Sequence, residues 1–104
     1  MAGSLFALDN PSEGERFDVL ARTRNVIVER IASSAVVDGK LYDQAQDEWV
    51  ALLRGEATLE IEGKPHALTA GDHVFIPAHQ PHRVTRCSAD AIWLAVHVFD
   101  GPPP

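Results

Sequence analysis

Glu48, His79, His82 and His97 are the side chains in this sequence best equipped for chemistry. A carboxylate oxygen combined with imidazole nitrogens is the donor mixture that Fe(II), Mn(II), Ni(II) or Zn(II) accept. The segment His79-Gln80-Pro81-His82 sets two imidazoles three residues apart across a turn stiffened by proline. His97 falls on the same face of a strand pattern as Trp93 and Ala95. Tyr42 and Gln44 are poor divalent ligands but good hydrogen-bond partners for a substrate or a bound water. Arg86 adds a fixed positive charge, an anchor for Glu48 or for a ligand.

Short strands and turns must position these groups. Val26 to Ala32 is rich in β-branched residues, and Asp38-Gly39 marks a turn. Glu48 to Arg54 and Glu56 to Ile61 flank Gly55, and Glu62-Gly63-Lys64-Pro65 turns the chain again. His73 to Ile76, His82 to Cys87 and Ile92 to Phe99 complete an all-β set, the pattern of a sandwich or barrel. Ser12 followed by Glu15 fits a helix capping box, and Phe17, Leu20 and Ala21 recur at helical spacing, so one short helix is expected over residues 12–21. Residues 1–11 read as a loose arm, and the Gly-Pro-Pro-Pro at 101–104 closes a tail over 100–104. The 104 residues make one domain, with the barrel over 26–99.

Two stretches carry a family resemblance. Glu48 is followed, after six residues, by Gly55; Gly71, Pro77 and His82 then recur in a second motif around Gly71-Asp72-His73-Val74-Phe75-Ile76-Pro77. Together they resemble the two motifs of the cupin superfamily, and the likeness covers Val26 to Phe99. The resemblance implies a double-stranded β-helix, a jelly-roll barrel with a site inside. It implies that Glu48 and His82 are two of the four usual metal ligands. The family's first pair of histidines falls at Tyr42 and Gln44, and His79 stands where the second motif has its second glycine. The metal set expected here is therefore Glu48, His79 and His82, holding Fe, Mn, Ni or Zn, with Tyr42, Gln44, Arg86 and His97 lining the pocket.

Composition bounds the partners. A net charge of −6 argues against nucleic acid and gives no basic face for an anionic membrane. Ala91 to Phe99, interrupted by His97, is too short to span a bilayer. The start of the chain lacks the pattern of a secretory signal, which favours a cytoplasmic protein. Cys87, the single cysteine, reads as a small apolar strand residue. Glu48 to Leu53 is apolar on both faces apart from Glu48, so a second layer or a partner must cover the outer one, with Trp49 and Leu53 there. A homodimer follows as the expectation. Glu29 faces inward if Ile27 and Ile31 do, while the opposite register buries Val26, Val28 and Arg30 instead. His66 and His73 lie near turns and read as surface residues.

Three functions fit this reading. The first is a metal-binding cupin that takes a small molecule, with oxygenase, isomerase or hydrolase chemistry. The second is a metal-free module that binds or senses a small molecule. The third is a metal-independent isomerase or epimerase with Tyr42 and His82 as acid and base. No phosphate loop, nucleophile elbow or cysteine–histidine pair is present, and no catalytic residue is assigned.

Overall fold

The computed structural model describes residues 2–104 and is all-β. Eight strands follow in order: β1 (Glu15–Thr23), β2 (Val26–Ser33), β3 (Asp47–Arg54), β4 (Glu56–Ile61), β5 (Lys64–Thr69), β6 (His73–Ile76), β7 (His82–Cys87) and β8 (Ile92–Val98). Five of them form one antiparallel sheet in the order β1-β2-β8-β3-β6, and β5-β4-β7 form the other. Their inner faces enclose Ile31, Val50, Leu52, Leu59, Ile76 and Trp93, which anchor the core. Cys87 is buried at its margin, and burial pushes its thiol pKa up, as a packing residue requires.

The helix expected over 12–21 is instead strand β1. It pairs with β2 along its whole length, from Glu15 opposite Ser33 to Thr23 opposite Val26. The ladder slips at Leu20, where a bulge separates Val19 from Ala21. That extra residue breaks the two-residue alternation, so Phe17, Leu20 and Ala21 mimic a helical spacing.

The register of β2 is decided by its neighbours. Ile27, Glu29 and Ile31 point inward, opposite His97, Ala95 and Trp93 of β8, while Arg30 points outward. Arg30 is nonetheless buried, because the N-terminal arm lies over it. Its guanidinium donates to the Ser4 and Leu5 carbonyls and to Asp18. Asn10 donates to the carbonyls of Ser33 and Ala91, and Arg54 sits over the Phe6 ring. The arm is therefore tied down across one end of the outer face, supplying part of the second layer that the apolar strands demand.

Gly55 joins β3 to β4 with a φ of 87°. A side chain there would come within 2.9 Å of the Ala91 Cα and collide with Ser88. Both conformation and space restrict the position to glycine.

Candidate functional site

The two sheets open at one end around a pocket lined by Glu15, Glu29, Tyr42, Gln44, Glu48 and His82, with His97, Phe17 and Trp93 completing the wall. Its enclosed space is about 60 Å³, enough for a few waters or the head of a small ligand.

Strand pairing explains the convergence. Glu48 sits opposite His97 on β8 and opposite Ile76 on β6. His82 opens β7, and a backbone bridge ties it to Tyr42: the Tyr42 N–H donates to the His82 carbonyl at 2.8 Å, and the His82 N–H donates back at 3.0 Å. Tyr42 stacks on the His82 ring with centroids 5.8 Å apart. Gln44, two residues on, points the same way and donates to Glu48 Oε1 at 3.0 Å.

Two histidine–carboxylate pairs face each other inside this pocket. In the first, His82 Nδ1 donates to the Gln80 carbonyl at 2.9 Å, which directs Nε2 toward Glu48 Oε1, 3.7 Å away. That separation is too long for a direct hydrogen bond but within ion-pair range, and a ligand atom lying to one side of the pair can touch both. In the second, His97 Nε2 lies 2.8 Å from Glu29 Oε1 and Nδ1 lies 3.2 Å from Gln46 Nε2. With the Gln46 amide donating, Nδ1 accepts and the neutral imidazole carries its proton on Nε2, donating it to Glu29. Protonating His97 fully would require Gln46 to turn its amide and offer its oxygen.

The charges are mutually tuned. Burial would raise the Glu48 pKa, but His82, His97 and Gln44 outweigh it and hold the carboxyl below its ordinary value. Burial likewise opposes charge on His82 and His97, yet Glu48 and the Gln80 carbonyl lift the first, and Glu29 and Glu48 lift the second. For Glu15 burial dominates and pushes the carboxyl up, despite the hydrogen bond from Ser33. Tyr42 is raised by burial first and by the surrounding acids second.

Two expected site residues lie elsewhere. His79 is exposed at the turn, its ring paired with Asp43 at 2.9 Å and its side chain 70% accessible. Its φ of 61° is the left-handed conformation that suits a glycine, which accounts for the glycine usual at that motif position. Arg86 stands opposite Thr58 on the exposed face of the smaller sheet, facing away from the pocket. Glu29 takes the inward of the two registers left open, Glu15 joins it on the pocket wall, and Gln46 reaches His97 from behind. Glu15 was obscured by the helical reading, although Glu15-x-Phe17-x-Val19 carries the alternation of a strand that faces inward at every second residue.

These positions decide how well the side chains fit a metal. Glu48 and His82 Nε2 remain as donors, whereas His79 is remote and both nitrogens of His97 are already engaged. Among the described residues no three His, Cys, Asp or Glu side chains converge as a ligand set. The three-ligand arrangement expected from Glu48, His79 and His82 does not fit.

Comparison with known proteins agrees with the fold. Residues 28–97 match the Cupin domain family, and the chain belongs to it. It is 38% identical to a protein of Ralstonia eutropha JMP134 provisionally assigned as a mannose-6-phosphate isomerase, over 95% of this chain and 98% of that one, with a TM-score of 0.82. KdgF from a Halomonas species is 18% identical over 88% of this chain and 81% of that one (TM-score 0.76). An RmlC-like cupin of Shewanella frigidimarina NCIMB 400 is 20% identical over 86% and 80% (TM-score 0.75). No curated protein matches the sequence significantly. No helix among the described residues is long and apolar enough to cross a membrane.

Proposed function

We propose that this cupin binds a small polar molecule at its barrel mouth without a resident metal, and that His82 and Glu48 hold a proton for it. The observation that carries this reading is the His82 Nε2. Its residue is buried, the Gln80 carbonyl fixes its direction, and its one protein neighbour is the Glu48 carboxylate, at ion-pair and not hydrogen-bond distance. A molecule in the pocket can touch both His82 Nε2 and Glu48 Oε1 from the cavity side. Tyr42, stacked on His82, offers a hydroxyl beside it. Proton transfer, isomerisation included, is the chemistry such a group supports.

The Ralstonia relative's assigned activity concerns a sugar phosphate. This pocket does not favour one: Glu15, Glu29 and Glu48 line it, and the Arg83 guanidinium at its rim is bound to Glu60 at 3.0 Å. A divalent transition metal is the second reading, favoured by the spacing of Glu48 Oε1 and His82 Nε2, which two ligands of one ion can span. We place the protein in the cytoplasm, in keeping with its buried free thiol, and propose a homodimer through the outer face of the larger sheet.

The test is elemental analysis of protein purified without chelators, together with ligand-induced melting shifts, for the parent, Glu48→Ala and His82→Ala. The expected result is substoichiometric metal throughout and ligand shifts abolished in both variants. Stoichiometric Fe, Mn, Ni or Zn that disappears in both variants would establish the metal reading instead.

A further inference from the structure

Glu15 is oriented by a chain of hydrogen bonds that runs back into the core. It stands opposite Ser33 in the ladder of β1 with β2, so both side chains leave the same face. The Ser33 hydroxyl lies 3.1 Å from Glu15 Oε2 and 3.0 Å from the Trp93 indole nitrogen. An indole N–H can only donate, so Ser33 Oγ accepts from Trp93 and its own hydrogen goes to Glu15. Ser33 and Trp93 are 1% and 3% exposed, and the Ser33 main chain is held as well, its N–H donating to the Ala91 carbonyl.

The direction of that relay decides where a proton can sit. Glu15 lines the cavity; its Oε2 is committed to Ser33, whereas Oε1 has no hydrogen-bond partner among the described residues. A protonated Glu15 therefore carries its hydrogen on Oε1, the oxygen left free for a molecule in the cavity. Burial, opposed by the Ser33 bond and aided by Asp38, Glu48 and Glu29, raises the carboxyl above its ordinary value. His82 and Glu48 reach the same cavity from β7 and β3. Of the other charged groups on it, Glu29 is engaged by His97 and Arg83 by Glu60.

Resting on the proton-transfer reading above, we infer that Glu15 is the general acid of this site, positioned by Ser33 and Trp93, and that it serves a small carbonyl compound with a hydrogen on the adjoining carbon. The His82–Glu48 pair takes that hydrogen as a proton, and the C–H electrons become the C=C bond of an enol. The carbonyl oxygen takes the Glu15 proton, which leaves a carboxylate held by Ser33. Reversal on the same carbon restores the compound, and in deuterium oxide it returns carrying deuterium.

Proton NMR of the whole protein with dihydroxyacetone, hydroxyacetone and glyceraldehyde in deuterium oxide tests this through loss of the hydrogen beside the carbonyl. The parent is expected to exchange at least one probe, His82→Ala none, and Glu15→Gln to be slower by roughly a hundredfold. The glutamine oxygen still accepts from Ser33, so that variant keeps the fold. The parent's rate should fall as pH rises through the Glu15 titration. That fall should move to higher pH in Ser33→Ala, which withdraws a hydrogen bond from the carboxylate, and vanish in Glu15→Gln. Exchange lost in His82→Ala yet unchanged in Glu15→Gln, in rate and in pH profile, would overturn the role of Glu15 and leave the proton-transfer reading standing. No exchange of any probe by the parent would overturn both.

Discussion

At the scale of single residues, the site depends on which imidazole nitrogens are spoken for. His82 and His97 share the sequence signature of a buried strand histidine, yet one keeps an open nitrogen and the other does not. Removing Glu48 leaves His82 and the Gln44 amide without their partner, so Glu48→Ala is expected to cost about 1–3 kcal/mol in denaturant unfolding. His79, exposed and in a left-handed conformation, behaves differently: His79→Gly is expected to stay within about 1 kcal/mol of the parent and to bind ligand normally. The direction of the pKa shifts fixes a pH profile. His82 and His97 are raised above 6.5 on folding, so the stability they add is fully present below that value and lost as pH rises through their folded values. Glu48 is lowered below 4.5, so its contribution is present above that value and lost as pH falls through its folded value. Melting temperature should therefore peak in the mildly acidic range, and the alkaline decline should flatten in His82→Ala. This much of the site was legible: Glu48, Tyr42, Gln44, His82 and His97 all line the pocket. His79 was misplaced because spacing reports sequence distance and not direction, and Arg86 because the bulge between Thr58 and Leu59, in the pairing of β4 with β7, shifts the facing of the residues beyond it.

At the scale of elements, six of the eight strands follow from alternation and turn residues; β5 escapes that reading because Lys64 and Pro65, which open it, look like part of the turn, and β1 is the instructive exception. Local pattern favoured a helix there, but an edge strand of nine residues gains a full ladder on β2, and that long-range pairing prevails. Its bulge at Leu20 is invisible to a period-two reading. The arm was also underestimated, since Arg30 and Asn10 hold it through carbonyls, which no side-chain pattern announces. Arg30→Ala is expected to free residues 2–10 for limited proteolysis while the barrel stays folded. Gly55→Ala should be far harsher, costing about 2 kcal/mol or more, because left-handed backbone and collision with Ser88 act together.

At the scale of the whole molecule, one row of outward side chains crosses all five strands of the larger sheet: Ala21, Val28, Val96, Trp49 and Phe75, each in register with the next. The arm covers the far end of this face, but Trp49 and Phe75 are 37% and 58% exposed. A continuous apolar row of this kind suits a self-complementary two-fold contact. Sedimentation of the parent is expected to report a dimer, and Phe75→Asp or Trp49→Lys a monomer with an intact fold.

The backbone bridge between Tyr42 and His82, continued by the His79 N–H donating to the Gln44 carbonyl at 2.6 Å, clamps the two halves of the site through main-chain atoms alone. None of those bonds depends on which side chain positions 42 and 44 carry. The lip of the barrel thus works as a socket with interchangeable fittings: its contents can be rewritten while its shape is preserved. A chain altered only by Tyr42→His and Gln44→His should keep the same frame and present four donors to a metal ion, so that a change of chemistry lies two substitutions away from the present protein.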